Sequence, residues 1–354
     1  MEHKRLVLML VIASLLASAN ITVFAASKKP STIDELALYN GPDRQQILEE
    51  GARKEGQLIF YTSLAVPIVR PLMSAFEKKY PYIKIVIWRA GGEALLPKIL
   101  EEYKFGKHLC DVVEGTQLLM IMLAKAGILQ PYYSPQMANI QEGSITKAPG
   151  KGAFAVAFRE SGIGLGYNTK QINREQLPKT YQDLLDPKWK GKVGIVAGNT
   201  GTSWMASMLA TYGEDFVKRV AEQKFDMHMV SGRALCDMVI NGEYMLSPTI
   251  FNSHVTDSKQ KGAPVDWIPL EPVPVNVGQF SLPKHSSHPN AALLFMDFEL
   301  SKESAEYYKT LGYDPTRLDV SGTKTYKKFY GPKDTEEVKK WDELFNRLFL
   351  NKNQ

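Results

Sequence analysis

Cysteine is scarce in this chain, two in 354 residues, and neither belongs to a Cys-x-x-Cys pair. His-Glu-x-x-His is also missing, and His108, His228, His254, His285 and His288 are scattered without metal-ligand spacing on a helix. Ser203, in Gly201-Thr202-Ser203-Trp204-Met205, lacks the second glycine of a nucleophile elbow. These gaps argue against an enzyme, and no cofactor is implied. No basic block with interleaved aromatics occurs, which argues against a nucleic-acid partner. There is no internal repeat and no low-complexity segment. Cys110 opens an apolar strand and Cys236 lies in a helical stretch, so the sequence predicts two separate buried thiols acting as small core hydrophobes.

What is present begins with a charged, then apolar head. Glu2-His3-Lys4-Arg5 is followed by apolar Leu6 to Leu16, too short to span a bilayer and stop there, and then by two small-x-small sites, Ala17-Ser18-Ala19 and Val23-Phe24-Ala25. This predicts a signal peptide over 1–25, with cleavage after Ala25 favoured over Ala19. No cysteine follows that could take a lipid, so a freely diffusing periplasmic protein is expected. Cleavage takes two of the 43 basic and one of the 38 acidic residues, leaving a mild net charge of about +4. An apolar fraction of 44% over this length suits two domains.

Beyond the head the pattern alternates. Residues 57–61, 83–88 and 111–113 read as short apolar strands, and 67–80, 93–103 and 117–126 as amphipathic helices. This βαβαβα order predicts a parallel sheet with helices on both faces. A long extended stretch follows at 154–167, containing Gly162, Gly164 and Gly166. Strands are predicted at 192–197, 244–251, 265–270 and 275–282. Helices are predicted at 203–212, 214–223, 232–240 and 290–300, before a charged helical tail.

In an open α/β sheet, ligands gather at the carboxyl ends of the strands, where helix N-termini offer free N–H groups. Here that edge carries Ser63, then Gly91-Gly92-Glu93, then Glu114-Gly115-Thr116. The second half carries Gly198-Asn199-Thr200-Gly201-Thr202-Ser203. Gly91-Gly92 serves equally well as a tight strand-to-helix turn, and Asn199 to Ser203 as a capping cluster. Two hydroxyl-rich helix starts, one from each half, facing across a cleft is the functional reading.

Several runs then carry a resemblance. They are Glu50-Gly51-Ala52-Arg53-Lys54-Glu55-Gly56-Gln57-Leu58, Tyr61-Thr62-Ser63, Ala75-Phe76-Glu77-Lys78-Lys79-Tyr80-Pro81, Arg89-Ala90-Gly91-Gly92-Glu93 and Asp111-Val112-Val113-Glu114-Gly115. To these add Asp183-Leu184-Leu185-Asp186-Pro187-Lys188-Trp189-Lys190-Gly191-Lys192, Leu282-Pro283-Lys284 and His288-Pro289-Asn290-Ala291-Ala292. Together they span nearly all of the mature chain, and the chain resembles the family 1 extracellular solute-binding proteins of ABC importers.

The resemblance implies an α/β, two-lobed type II periplasmic binding protein fold, each lobe a mixed, mostly parallel sheet flanked by helices, with two crossing hinge strands. Lobe 1 would hold 26–158 and 255–300, and lobe 2 159–254 and 301–354. The first crossing would lie near 154–165 and the second near 245–254. The implied partners are a small solute and a membrane permease, and a monomer is expected.

Many relatives are ferric-ion binders that use adjacent tyrosines on the second crossing, where this chain has Ile250-Phe251-Asn252-Ser253. Neither Phe251 nor Asn252 replaces a phenolate, so direct iron binding stands as the alternative. Tyr132-Tyr133 precedes the crossing and is expected to pack structurally. Ser63, Thr116, Thr200, Thr202 and the helix starts favour an oxyanion, with Arg159 as a two-pronged clamp. Glu93, Glu114 and Glu160 near the same edge would add a positive end to the solute. The expected ligand is thus a small organic anion or zwitterion.

Overall fold

The computed structural model describes residues 29–321, 326–332 and 334–350, and the signal-peptide reading of 1–25 lies outside them. No helix of the described residues is long and apolar enough to cross a membrane.

From Thr32 onward the chain forms one compact unit. Helices α1 (Ile33–Ala37) and α2 (Arg44–Glu55) lead into β1 (Gln57–Thr62), α3 (Val66–Lys79), β2 (Lys84–Arg89), α4 (Gly92–Lys104), β3 (Val112–Thr116) and α5 (Gln117–Lys125). Helix α2 stops where Gly56 takes φ 68°, a conformation that glycine adopts without a Cβ penalty. Strand β1 pairs in parallel with β2, from Gln57↔Lys84 to Thr62↔Arg89, and with β3 at Phe60↔Val112. The predicted βαβαβα order is present, displaced by up to three residues at the element ends.

After β4 (Ala153–Asn168) come β5 (Gly194–Val196), α6 (Asn199–Tyr212), α7 (Glu214–Ala221), β6 (Asp226–His228), α8 (Gly232–Asn241) and β7 (Leu246–Phe251). The rest runs α9 (Asn252–Gln260), β8 (Val265–Ile268), β9 (Val273–Pro283), α10 (Pro289–Glu299), α11 (Lys302–Thr310), β10 (Asp314–Pro315), β11 (Lys328–Phe329) and α12 (Thr335–Phe345).

Two large apolar cores result. The first is centred on Phe60, Phe76, Phe280 and Phe295, with Phe295 edge-on to both Phe60 and Phe76 at 5.0 and 5.2 Å. The second gathers Leu165, Trp189, Trp204, Leu246 and Phe345. Strand β4 gives Val156 and Phe158 to the first core and Leu165 and Tyr167 to the second. The return runs from Leu270 in the second core along β9 to Phe280 and Leu282 in the first. These two strands pair antiparallel from Val275↔Gly162 to Phe280↔Val156.

The second strand between the cores is therefore β9, whereas 245–254 had been expected. Strand β7 pairs with β4 only over Ile163–Tyr167, and its Ile250 packs with Cys236, Val239, Val255 and Val265. The tail after 300 is also shared, with Tyr308 and Tyr313 in the first core and Leu344, Phe345 and Leu348 in the second. The glycines of β4 mark close packing. A Cβ at Gly162 would lie 2.5 Å from the Tyr326 hydroxyl, at Gly164 2.5 Å from Trp267, and at Gly166 2.8 Å from Ile250.

Candidate functional site

Between the cores, polar residues sort into a buried node and an open cleft. The node is built on Glu114, which is fully buried on β3. Its Oε2 accepts from Thr62 Oγ1 at 2.7 Å, Ser63 N at 2.9 Å and Ser63 Oγ at 3.0 Å, and its Oε1 from Arg159 Nη2 at 3.0 Å. The Arg159 guanidinium lies 4.9 Å from the Tyr313 ring centroid and 5.3 Å from that of Phe158. It fits because Gly278 faces it on β9, where a Cβ would come within 2.7 Å of Cζ.

Arg159 was expected as a clamp on the solute; the structure places it against Glu114, with Nη1 donating to Asn276 Oδ1 of the cleft at 3.4 Å. Ser63 is likewise spent on Glu114. Glu160 is buried too, bound by Lys328, which also lies 3.8 Å from Asp314. Neither Glu114 nor Glu160 lines the cleft.

The cleft consists of two adjoining cavities of about 710 and 1560 Å³, sharing Thr116, Leu118, Asn199, Thr200 and Asn276. The N-termini of three helices open onto it. Thr116 caps α5 by accepting from Leu119 N at 3.4 Å, and Ser231 caps α8 by accepting from Ala234 N at 3.2 Å. Helix α6 starts after Gly198, at φ 82°, with no side-chain cap, and its Asn199, Thr200 and Thr202 line the cavity. A Cβ at Gly201 would sit 2.2 Å from Val196 O, so this helix start presses directly on the end of β5. Gly91, which precedes α4, lines the larger cavity; Gly92 and Glu93 form the first turn behind it.

Thr116, Asn199, Thr200, Thr202 and Phe251 come together on this cavity. Asn252 does not join them, because its Nδ2 donates to Gly312 O at 2.8 Å and ties α9 to the tail. Sequence reasoning missed Asn276, whose signal was a lone amide in the Val-rich run of β9. It also missed Met229 and Val230, and Trp341 and Asp342 of α12. Asp342 Oδ1 accepts from Thr202 Oγ1 at 2.8 Å.

Other candidate chemistry is quiet. Ser203 Oγ donates back to Asn199 O at 2.8 Å. Burial and nearby Arg233 push His254 down to about 4, leaving it neutral at pH 7. Burial raises Cys110 well above the ordinary thiol range and Cys236 to about 11; the two are free and sit in separate clusters. Tyr132 is fully buried, donates to Phe280 O at 3.3 Å and has its phenol pushed well up by burial, so it packs structurally. Among the described residues, no group of three or more His, Cys, Asp or Glu is placed to hold a metal ion.

Two cores joined by an antiparallel pair of strands, with helix N-termini facing across the gap, define the type II periplasmic binding protein fold. Residues 110–344 match the model of the bacterial extracellular solute-binding protein family, and the chain belongs to that family. An uncharacterised protein of Haemophilus influenzae is 27% identical over 267 residues, covering 72% of this chain and 76% of that one.

Among solved structures, iron-bound HitA from Pseudomonas aeruginosa is 22% identical, covers 83% of this chain and 99% of its own, and has a TM-score of 0.67. AfuA from Actinobacillus pleuropneumoniae, with fructose-6-phosphate bound, is 23% identical over 83% and 99%, with a TM-score of 0.66. A spermidine/putrescine substrate-binding protein, PotD, from Streptococcus pneumoniae is 16% identical over 82% and 98%, with a TM-score of 0.65. These relatives share the fold while their named ligands differ in charge and size.

Proposed function

We propose that this chain is the periplasmic solute-binding component of an ABC importer, a monomer that takes a small organic anion or zwitterion into the cleft and passes it, chemically unchanged, to a membrane permease. One lobe is built on the core of Phe60 and Phe280, the other on that of Trp204 and Phe345, with β4 and β9 as the joint. The first lobe then takes in α11 and β10, and the second takes in β8 and α12.

The reading is carried by the convergence of the α5, α6 and α8 N-termini on one cavity. Each helix start presents unpaired backbone N–H groups and the positive end of its dipole, which together favour an oxyanion without a basic side chain. Leu118, Phe251, Val275, Val277 and Trp341 supply apolar surface for the rest of a small organic molecule. A bare ferric ion would need several hard anionic donors, and among the described residues the cleft lining supplies one carboxylate, Asp342.

Native mass spectrometry of freshly purified protein, followed by calorimetry with a solute panel, tests this. Recovery of an intact small anion or zwitterion is the expected result. Uptake of only ferric ion, or of only uncharged sugars, would overturn it.

A further inference from the structure

Asp342 is the one ionisable side chain among the described residues lining the two cavities. It projects from α12, which is anchored to the second core by Leu344 and Phe345. Thr202 Oγ1 donates a single hydrogen bond to Oδ1. A carboxylate has about four acceptor positions on its two oxygens, so one hydroxyl leaves most of that capacity unused. Among the described residues no ion pair involves Asp342, and Lys339 on the same helix pairs with Glu343 instead.

The preceding residue, Trp341, lines the same cavity and brings aromatic surface next to the carboxylate. A carboxylate beside an aromatic side chain is a favourable seat for an ammonium group, through a charge-assisted hydrogen bond and attraction to the ring. Thr116 and Gln117 line the same cavity at the N-terminus of α5, where an oxyanion is favoured.

We infer that Asp342, with Trp341 beside it, is the specificity-determining residue for a cationic amino group at one end of the solute, so that the cleft selects an amino-substituted anion over the plain anion. This rests on the anion-or-zwitterion reading above and narrows it to the zwitterion. The cleft then presents opposite polarity at two places: the N-termini of α5 and α8, and the Asp342 carboxylate on the tail helix beside the start of α6. A solute of two like charges would match only one of them.

The test is calorimetry on the full mature chain with matched probes: 3-aminopropylphosphonate, propylphosphonate and 1,3-diaminopropane. The amino-phosphonate is expected to bind about ten- to a hundredfold more tightly than propylphosphonate, the range of one added hydrogen bond to a charged group. Asp342→Asn should erase that ratio by weakening only the amino compound, and Asp342→Glu should keep part of it. The asparagine amide oxygen can still accept from Thr202, and matched thermal melts would show that the fold is intact.

Equal binding of the two phosphonates by the native chain, or an unchanged ratio in Asp342→Asn, overturns the inference and leaves the anion reading standing. Binding of the diamine with neither phosphonate overturns the anion reading; the role of Asp342 as a cation seat then survives only if Asp342→Asn abolishes it. Binding of none of the three overturns both.

Discussion

Glu114 and Arg159, 45 positions apart in sequence, meet at 3.0 Å in the interior where β3 and β4 flank β9. Removing one partner strands the other as a buried charge. Arg159→Ala should cost about 3–5 kcal/mol, readable in urea denaturation, while Glu114→Gln with Arg159→Met should recover a large share. A single variant of native stability that had lost solute binding would return Arg159 to the role of a clamp.

Glu299 is buried on α10 and its carboxyl is raised to about 8 by desolvation, with Tyr308 donating to Oε2 at 3.0 Å. A carboxyl raised in the folded state holds its proton there after the unfolded chain has lost it. Its contribution is complete below the ordinary glutamate value of 4.5 and drains away as pH climbs to about 8. Glu299→Gln should therefore flatten the decline in melting temperature across that window and gain on the native chain at the alkaline end. Parallel pH profiles for the two proteins would contradict this.

Thr200 sits in the first turn of α6, facing the cavity. Thr200→Glu sets a fixed negative charge at a helix start, which the dipole tolerates or welcomes. Stability should hold or rise slightly, while affinity for an anionic solute falls about tenfold or more through direct competition. Unchanged affinity in calorimetry would remove the helix starts from the binding account.

The two thiols offer a quick check. Burial raises both and keeps both from solvent, so a thiol-reactive dye should label neither in the native protein and both in denaturant. Rapid native labelling, or a mass two hydrogens short of the dithiol, would show that their surroundings differ from those described.

The first sheet was legible because its helices repeat at 3.6 residues and its strands are short apolar runs closed by glycine or hydroxyl residues. That same punctuation exposed Thr116, Asn199, Thr200 and Thr202, since a helix start carries its own local chemistry. Arg159 misled because its place in β4 is written in the sequence but its partner is not; Glu114 and Gly278 reach it only through sheet register. The second crossing was expected at 245–254 and lies on β9 for a similar reason, as β7 and β9 are both Val- or Ile-bearing strands and pairing with β4 is set by register. Trp341 and Asp342 gave no signal, because an amphipathic tail helix looks the same whether its outer face meets solvent or a cleft.

The interleaving of the two cores has a consequence for how such a protein diversifies. Residues from Leu36 to Tyr313 build one and residues from Leu165 to Leu348 the other, with overlapping stretches of chain. A single genetic crossover between paralogues would splice incompatible halves through both interiors at once. New cargo preferences are then more readily reached by point changes along the cavity wall, at positions such as Asn276 or Asp342, than by exchange of whole lobes.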